Sequence, residues 1–473
     1  MSKPRICLII DHPLRDLPGA SLIALRLAES GCEVFLVPMF VQERESLALA
    51  PDFVLLNYLR KNNESYVHRL KNCGIQYGIN DTEGGFYGDL AYYGKVLSQD
   101  RDLYESLNCN LIWGRKMLNY LENDFGIRQR LVLTGLPRFD YYSPRLRKAE
   151  LNLLPDDFKA KPLALINTKV ALANPQFVSV EREVELYKNK LGFSDDVIQH
   201  FLTYGKLSID DNVRLAGDLA SEFSDINVVI RPHPHERAET YREKLQTAGV
   251  TSVKVNRDGP VVPWILAAKS VIHRHCTTAI EAALAGVPAI SPAWVNTSAN
   301  APDAEAVSHI VESKSELMDL IHAANQGRVQ PTPRITAETG RIIDDWLFQV
   351  DGDSSARVAG AILESLKSGT RVDRSRCEQR MFDIFENHEG MAGGLYHRLN
   401  KLGRFNPKTL WLLENARLKK WKSTQKFFTP QNVVGWIQPI TQLEQKRVPN
   451  IDWATANDSY LNEYPGLAVK VTF

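Results

Sequence analysis

Short apolar runs alternate along the chain with stretches whose apolar residues recur every three or four positions. "RICLII" (5–10) and "EVFLVP" (33–38) are continuous, rich in β-branched residues and bounded by polar ones, the pattern of strands buried on both faces. Between them "GASLIALRLAESG" (19–31) has the helical period and is closed by Gly31. The rhythm continues through "FVLLNYL" (53–59) and then "CGIQYGIND" (73–81), "CNLIWG" (109–114) and "QRLVLTGLP" (129–137), the last three each ending in a turn signal. Such alternation predicts a parallel sheet with helical crossovers. A polar, proline-marked region at 143–162 interrupts it. A second series opens with "PLALINT", passes a long helical region to about 224, and resumes with "INVVIRPHP", "TSVKV", "SVIHRH", the helix "TAIEAALAG" and the strand "PAIS". The expectation is α/β: two doubly wound Rossmann-like domains, 1–150 and 151–370, followed by a helical extension, 371–473.

Composition narrows this picture. With 473 residues and 44% hydrophobic content the chain is too long for one ordinary core. Its 57 Lys+Arg against 56 Asp+Glu leave no global field to recruit nucleic acid. The six cysteines, at 7, 32, 73, 109, 276 and 377, show neither CxxC spacing nor a dense pattern, so neither a disulfide scaffold nor a zinc module is expected. The opening "MSKPRICLIIDHPLRD" meets a proline and an aspartate around a short apolar run, and no apolar stretch reaches transmembrane length. A cytoplasmic protein is the expectation. Between Leu395 and Thr429, nine Lys or Arg face the single acid Glu414, interleaved with Tyr396, Phe405, Trp411, Trp421, Phe427 and Phe428. That mixture suits an anionic membrane surface, and it also suits a helical cap whose aromatics pack inward.

Open parallel sheets bind ligands at the carboxyl ends of their strands, so residues just after strands carry the chemistry. "VVIRPHPHE" (228–236) places Arg231, His233 and His235 there, with prolines ending the strand. Zinc would need more ligands at other spacings. An anion pocket, with Arg231 as a fork and His233 as a further donor, stands beside the plainer reading of a solvated strand end. "VIHRHCTTAIEAALAGVPAIS" (271–291) delivers His273, then Cys276, Thr277 and Thr278 at a helix start, where backbone N–H groups favour anions. Thr278 and Glu281 have capping-box spacing, and Glu281 would also reach ribose hydroxyls. Cys276 reads as a small buried residue.

These two stretches resemble the donor-nucleotide half of GT-B glycosyltransferases. The region 1–370 resembles bacterial surface carbohydrate biosynthesis proteins related to β-Kdo transferases, through "RDLPGASLIALRLAESG" (15–31), "NDTEGG" (80–85), "WG" (113–114), "TGLPRFD" (134–140) and "LINTKVALAN" (164–173). The resemblance implies two domains facing a cleft. It implies a CMP-activated donor, Kdo or a related acidic sugar, held by the second domain and transferred to a saccharide or lipid-linked acceptor met by the first. Such a protein would work at the inner face of the cytoplasmic membrane in capsule or lipopolysaccharide synthesis.

The family's DxEG appears as Asp81-Thr82-Glu83-Gly84, so both carboxylates are present and are the expected catalytic pair. Two carboxylates in unlike environments suit a base or nucleophile in glycosyl transfer. Asn80-Asp81 and Gly84-Gly85 are also strong turn formers. Arg15 and Asp16 lie on the acceptor side or pair with each other at a helix start. Arg138 and Asp140 read as an interdomain structural pair. Thr168 and Lys169, after the first strand of the second domain, meet a donor phosphate or carboxylate. Asp351-Gly352-Asp353 has DxD form but reads as a helix N-cap, so no metal and no cofactor is expected. Two other classes remain open: a polyol-phosphate transferase of the CDP-glycerol type, and a non-catalytic scaffold of the same fold.

Overall fold

The computed structural model describes residues 3–83, 85–86, 90–367, 372–386, 426–460 and 466–473, with 190–191 and 382–386 described by backbone alone. It divides into two compact units. The first comprises Met1–Tyr141, Lys148–Glu150 and Ile343–Phe473, and the second comprises Tyr142–Arg147 and Leu151–Ile342. Each is Rossmann-like, an α/β unit on a parallel sheet, as expected of the GT-B class.

In the first unit β1 (Arg5–Ile10), β2 (Glu33–Pro38), β3 (Phe53–Leu56), β4 (Gln76–Asn80), β5 (Cys109–Ile112) and β6 (Leu131–Leu133) run parallel. In the second, β7 (Leu163–Asn167), β8 (Asn227–Arg231), β9 (Lys254–Val255), β10 (Ala268–His273), β11 (Ala289–Pro292) and β12 (His309–Val311) form a six-stranded parallel sheet in the order β12-β11-β10-β7-β8-β9. The uninterrupted apolar runs sit where helices cover both faces: β1 is buried from Ile6 to Ile10 and β7 along its whole length. Strand order reverses between β1 and β3 in one sheet and between β7 and β10 in the other. Diverging crossovers open a crevice at each reversal, beyond the strands' carboxyl ends.

Two expectations about the last third of the chain are corrected. The sequence pattern places residues 343–370 in the second domain, yet the described part of that stretch belongs to the first unit. The helix Ser354–Leu366 packs on the helix Pro13–Glu29, and its first-turn amides, Ser354 N and Ser355 N, donate to Asp140 at 3.1 and 2.8 Å. Asp353 occupies the N-cap position without making a side-chain cap bond, so the cap comes from Asp140, far away in sequence. Asp140, Ser354 and Ser355 therefore lie inside one unit. Asp351 is held by Arg357 at 2.7 Å.

The extension is also not simply helical. After the helix Pro430–Leu443 it supplies β13 (Asn450–Trp453) and β14 (Val469–Thr472), and β14 pairs antiparallel with β2 to extend the sheet to eight strands. Val469 and Val471 are fully buried while Lys470 reaches Glu33 at 2.7 Å, so alternate residues face opposite ways. Without β14 the outer edge of β2 would present unpaired backbone groups.

Candidate functional site

At the reversal in the first unit, Pro13 stops β1 and starts a helix, leaving Asp11 and His12 at the turn. His12 is the N-cap, and its Nδ1 accepts from Leu14 N at 3.3 Å. Burial, then Lys426 and Arg15, push its pKa down to about 4, so the ring is neutral with its proton on Nε2.

Arg15, one helical turn on, gathers the carboxylates. Its Nε donates to Asp16 Oδ1 at 2.6 Å, one terminal nitrogen to Glu83 Oε1 at 2.6 Å, and the other to Asp11 Oδ2 at 2.9 Å. The Arg15–Asp16 pairing and the Arg15–Glu83 contact therefore coexist. Arg60, beyond β3, donates to Glu83 Oε2 at 2.7 Å and lies 3.6 Å from Asp81 Oδ1. Lys426 completes the cluster on Asp11 Oδ1 at 2.7 Å. Residues 395–425 of the basic segment, with the proposed membrane face, lie outside the described residues.

Asp81 and Glu83 differ sharply. Asp81 Oδ1 accepts the Glu83 amide at 2.9 Å, the Asx turn its sequence suggests, and Oδ2 accepts the Tyr93 hydroxyl at 2.9 Å. Burial raises its pKa above the ordinary carboxylate value, with Arg60 only partly offsetting that. Burial acts on Glu83 in the same sense, but the guanidiniums of Arg15 and Arg60 outweigh it and hold the carboxyl below its ordinary value. The Glu83 side chain is 36% exposed and that of Asp81 10%. Of the two, Glu83 is the charged group within reach of a ligand. Asp11, His12 and Arg60 escaped the sequence reading; their signal was position, directly after β1 and β3.

In the second unit several expected donor contacts prove to be internal struts. Arg231 donates to the carbonyls of Asp258, at 3.0 Å, and Gly259, and its guanidinium lies over the Trp264 ring at 5.1 Å. Burial lowers its pKa to about 9. Its fork thus holds the loop beyond β9. Thr168 donates to Glu236 Oε2 at 2.7 Å, and that fully buried carboxylate also takes Val170 N at 2.7 Å and the Tyr241 hydroxyl at 2.8 Å.

His273 is buried, its Nδ1 accepting Cys276 N at 3.4 Å and its Nε2 meeting Ser308 Oγ at 2.8 Å. Because the Ser308 hydroxyl donates to Ala304 O at 2.6 Å, Nε2 must be the donor in that pair. Burial takes His273 down to about 4, so it is neutral.

The expected capping box does not form. Thr277 is the N-cap of the helix Thr278–Ala285 and makes no side-chain cap bond, while Glu281 accepts the Tyr142 hydroxyl at 2.5 Å. Thr278 donates to Cys276 Sγ at 3.2 Å and accepts from Asn167 Nδ2 at 2.8 Å. Burial raises the Cys276 thiol, which keeps it protonated. Lys169 is exposed beyond β7 with no ion pair among the described residues, His233 is half-buried beyond β8, and Thr277 is half-buried at the helix start. These three remain at the strand ends where a ligand would meet them.

Neither a scan against protein-family models nor a search of curated proteins returns a match. Among solved structures the chain is similar to a Listeria monocytogenes protein assigned as a UDP-N-acetylglucosamine 2-epimerase, with 12% identity over 79% of this chain and 99% of that one and a TM-score of 0.48. It is similar to the wall teichoic acid polymerase TagF, with 13% identity over 77% and 90% and a TM-score of 0.46. S. aureus MnaA, solved with UDP, matches at 13% identity over 78% and 99%, with a TM-score of 0.44.

Proposed function

We propose that the protein is a glycosyltransferase of bacterial surface polysaccharide synthesis, taking an acidic sugar from a CMP-linked donor and passing it to a saccharide or lipid-linked acceptor. The observation that carries this reading is the pair Asp81 and Glu83 at the strand reversal of the first unit, one protonated more readily than usual and the other fixed as a carboxylate between two guanidiniums. Glycosyl transfer passes through an oxocarbenium-like state, and a fixed negative charge favours it.

In this reading Glu83 is the catalytic residue. It acts as the charge that meets the sugar or, once an acceptor hydroxyl displaces a guanidinium, as the base. Asp81 positions it by holding its amide. Lys169, His233 and Thr277 receive the donor's phosphate and carboxylate, supported by their position at the ends of β7, β8 and β10, where Lys169 is exposed and the other two are half-buried. Arg231, Thr168, His273 and Glu281 are held by internal hydrogen bonds at the same strand ends.

The test is to incubate the protein with a CMP-linked 3-deoxy-octulosonic acid and candidate saccharides, and to identify products by mass spectrometry. Sugar-extended acceptor with free CMP is expected. Transfer of a phosphate-containing unit from CDP-glycerol would replace this reading with the polyol-phosphate one, and no turnover of either donor would leave the scaffold.

A further inference from the structure

Beside the carboxylate cluster, on the face of the first sheet covered by the helix Pro13–Glu29, lies a small pocket that the chemistry above does not use. Its floor is apolar, formed by Leu8, Ile10 and Leu55. Its polar lining includes two adjacent carboxamides. Asn80 ends β4 and Asn57 follows β3, and extending the β3–β4 register by one step from Leu56↔Ile79 sets them side by side on one face. On the opposite side the segment after β6 comes close to the helix because the helix carries Gly19, where a Cβ would stand 2.7 Å from Arg138 N.

The two asparagines are 2% and 4% exposed, yet Asn57 Oδ1 and both amide atoms of Asn80 have no hydrogen-bond partner among the described residues. The other asparagine amide atom, Asn57 Nδ2, makes only a 3.6 Å contact to Met39 Sδ. Buried amide atoms are rarely left so, because each loses its water without compensation. The open volume is about 40 Å³, room for roughly three or four water-sized atoms.

We infer that this pocket takes the acetamido group of an N-acetylated sugar, as part of the acceptor. The inference rests on the transferase reading for that last clause only. An acetamido group has four non-hydrogen atoms. Its N–H supplies a donor for an asparagine oxygen, its C=O accepts from Asn80 Nδ2, and its methyl meets Leu8, Ile10 and Leu55. A carboxylate cannot donate and an ammonium cannot accept. Arg15 at the rim is already met by Asp11, Asp16 and Glu83, so its guanidinium is committed to the carboxylate cluster.

Saturation-transfer NMR on the full chain with N-acetylglucosamine, glucosamine and glucose reads this directly. The acetyl methyl protons should receive the strongest saturation, and glucose and glucosamine should give at least tenfold less. Asn80→Leu and Asn57→Leu should each abolish the methyl signal while the thermal shift given by CMP persists. Equal signals from the three sugars, or none from N-acetylglucosamine at millimolar concentration, would overturn the inference and leave a pocket for ordered water. A methyl signal unchanged in both folded variants would overturn it too. CMP binding is scored separately, so its loss in the parent protein would count against the transferase reading alone.

Discussion

At the scale of single residues the carboxylate pair does most to connect geometry with chemistry. Glu83→Gln keeps shape and hydrogen bonds but removes the charge shared by Arg15 and Arg60. Turnover should fall by ~100- to 10,000-fold with nucleotide affinity unchanged, as for loss of a positioned acid–base group. Asp81→Asn retains the Asx turn and should cost far less; equal losses in both variants would restore the two carboxylates to equal roles. "NDTEGG" made both residues legible as candidates. It could not separate them, because separation depends on Arg60 and Tyr93, which chain topology brings in from other elements.

The histidines follow the same logic. His273 was read as a donor contact from its place after a strand, while its burial against Ser308 depends on packing that no local pattern encodes. A buried neutral histidine with its folded pKa depressed to about 4 contributes stability above the unfolded value near 6.5. As pH falls from there towards 4 the unfolded chain binds the proton first, so that contribution is lost. Thermal unfolding should therefore shift downward between pH 7 and 5, and His273→Gln, whose amide can meet both neighbours, should flatten the slope. An unchanged slope would place the titration elsewhere.

Among elements, strands and central helices were readable because β-branched runs and the 3.6 period survive in the sequence; β1, β2 and β7 fall within a residue of the expected segments. Caps were misjudged. Two textually sound N-caps, Thr278 with Glu281 and Asp353, are bypassed because Tyr142 and Asp140 offer buried partners. Asp140→Ala should destabilise the first unit by about 2 kcal/mol, a cap lost together with desolvated amides. Asp353→Ala should cost less than about 0.5 kcal/mol, as for an ordinary surface change. Denaturant unfolding of both variants checks this, and the reverse order would return the cap to Asp353. The strand β14 escaped notice because four residues of alternation, "VKVT", are too short to stand out, and its partner β2 lies more than 400 positions away.

For the whole molecule, the division near residue 150 was marked by prolines and polar residues, but the return of the chain at 343 has no such punctuation. The helix Ser354–Leu366 looks like one more crossover helix until Asp140 claims it. A fragment spanning 142–342 should therefore fold alone with cooperative unfolding, while 1–150 alone should not, lacking β14 and that helix. A soluble, cooperatively folded 1–150 fragment would contradict the division.

A nucleotide-linked donor is the central requirement of the proposed function. Thermal unfolding of the full chain with CMP, CDP, UDP and GDP in chelator measures that most directly, since a ligand at a hundred times its dissociation constant stabilises the native state by about 2.7 kcal/mol. CMP should raise the midpoint by several degrees and the other nucleotides by less, with the increment retained in Glu83→Gln and reduced in Lys169→Ala. No shift with any of the four, or one that appears only when divalent metal is added, would contradict it.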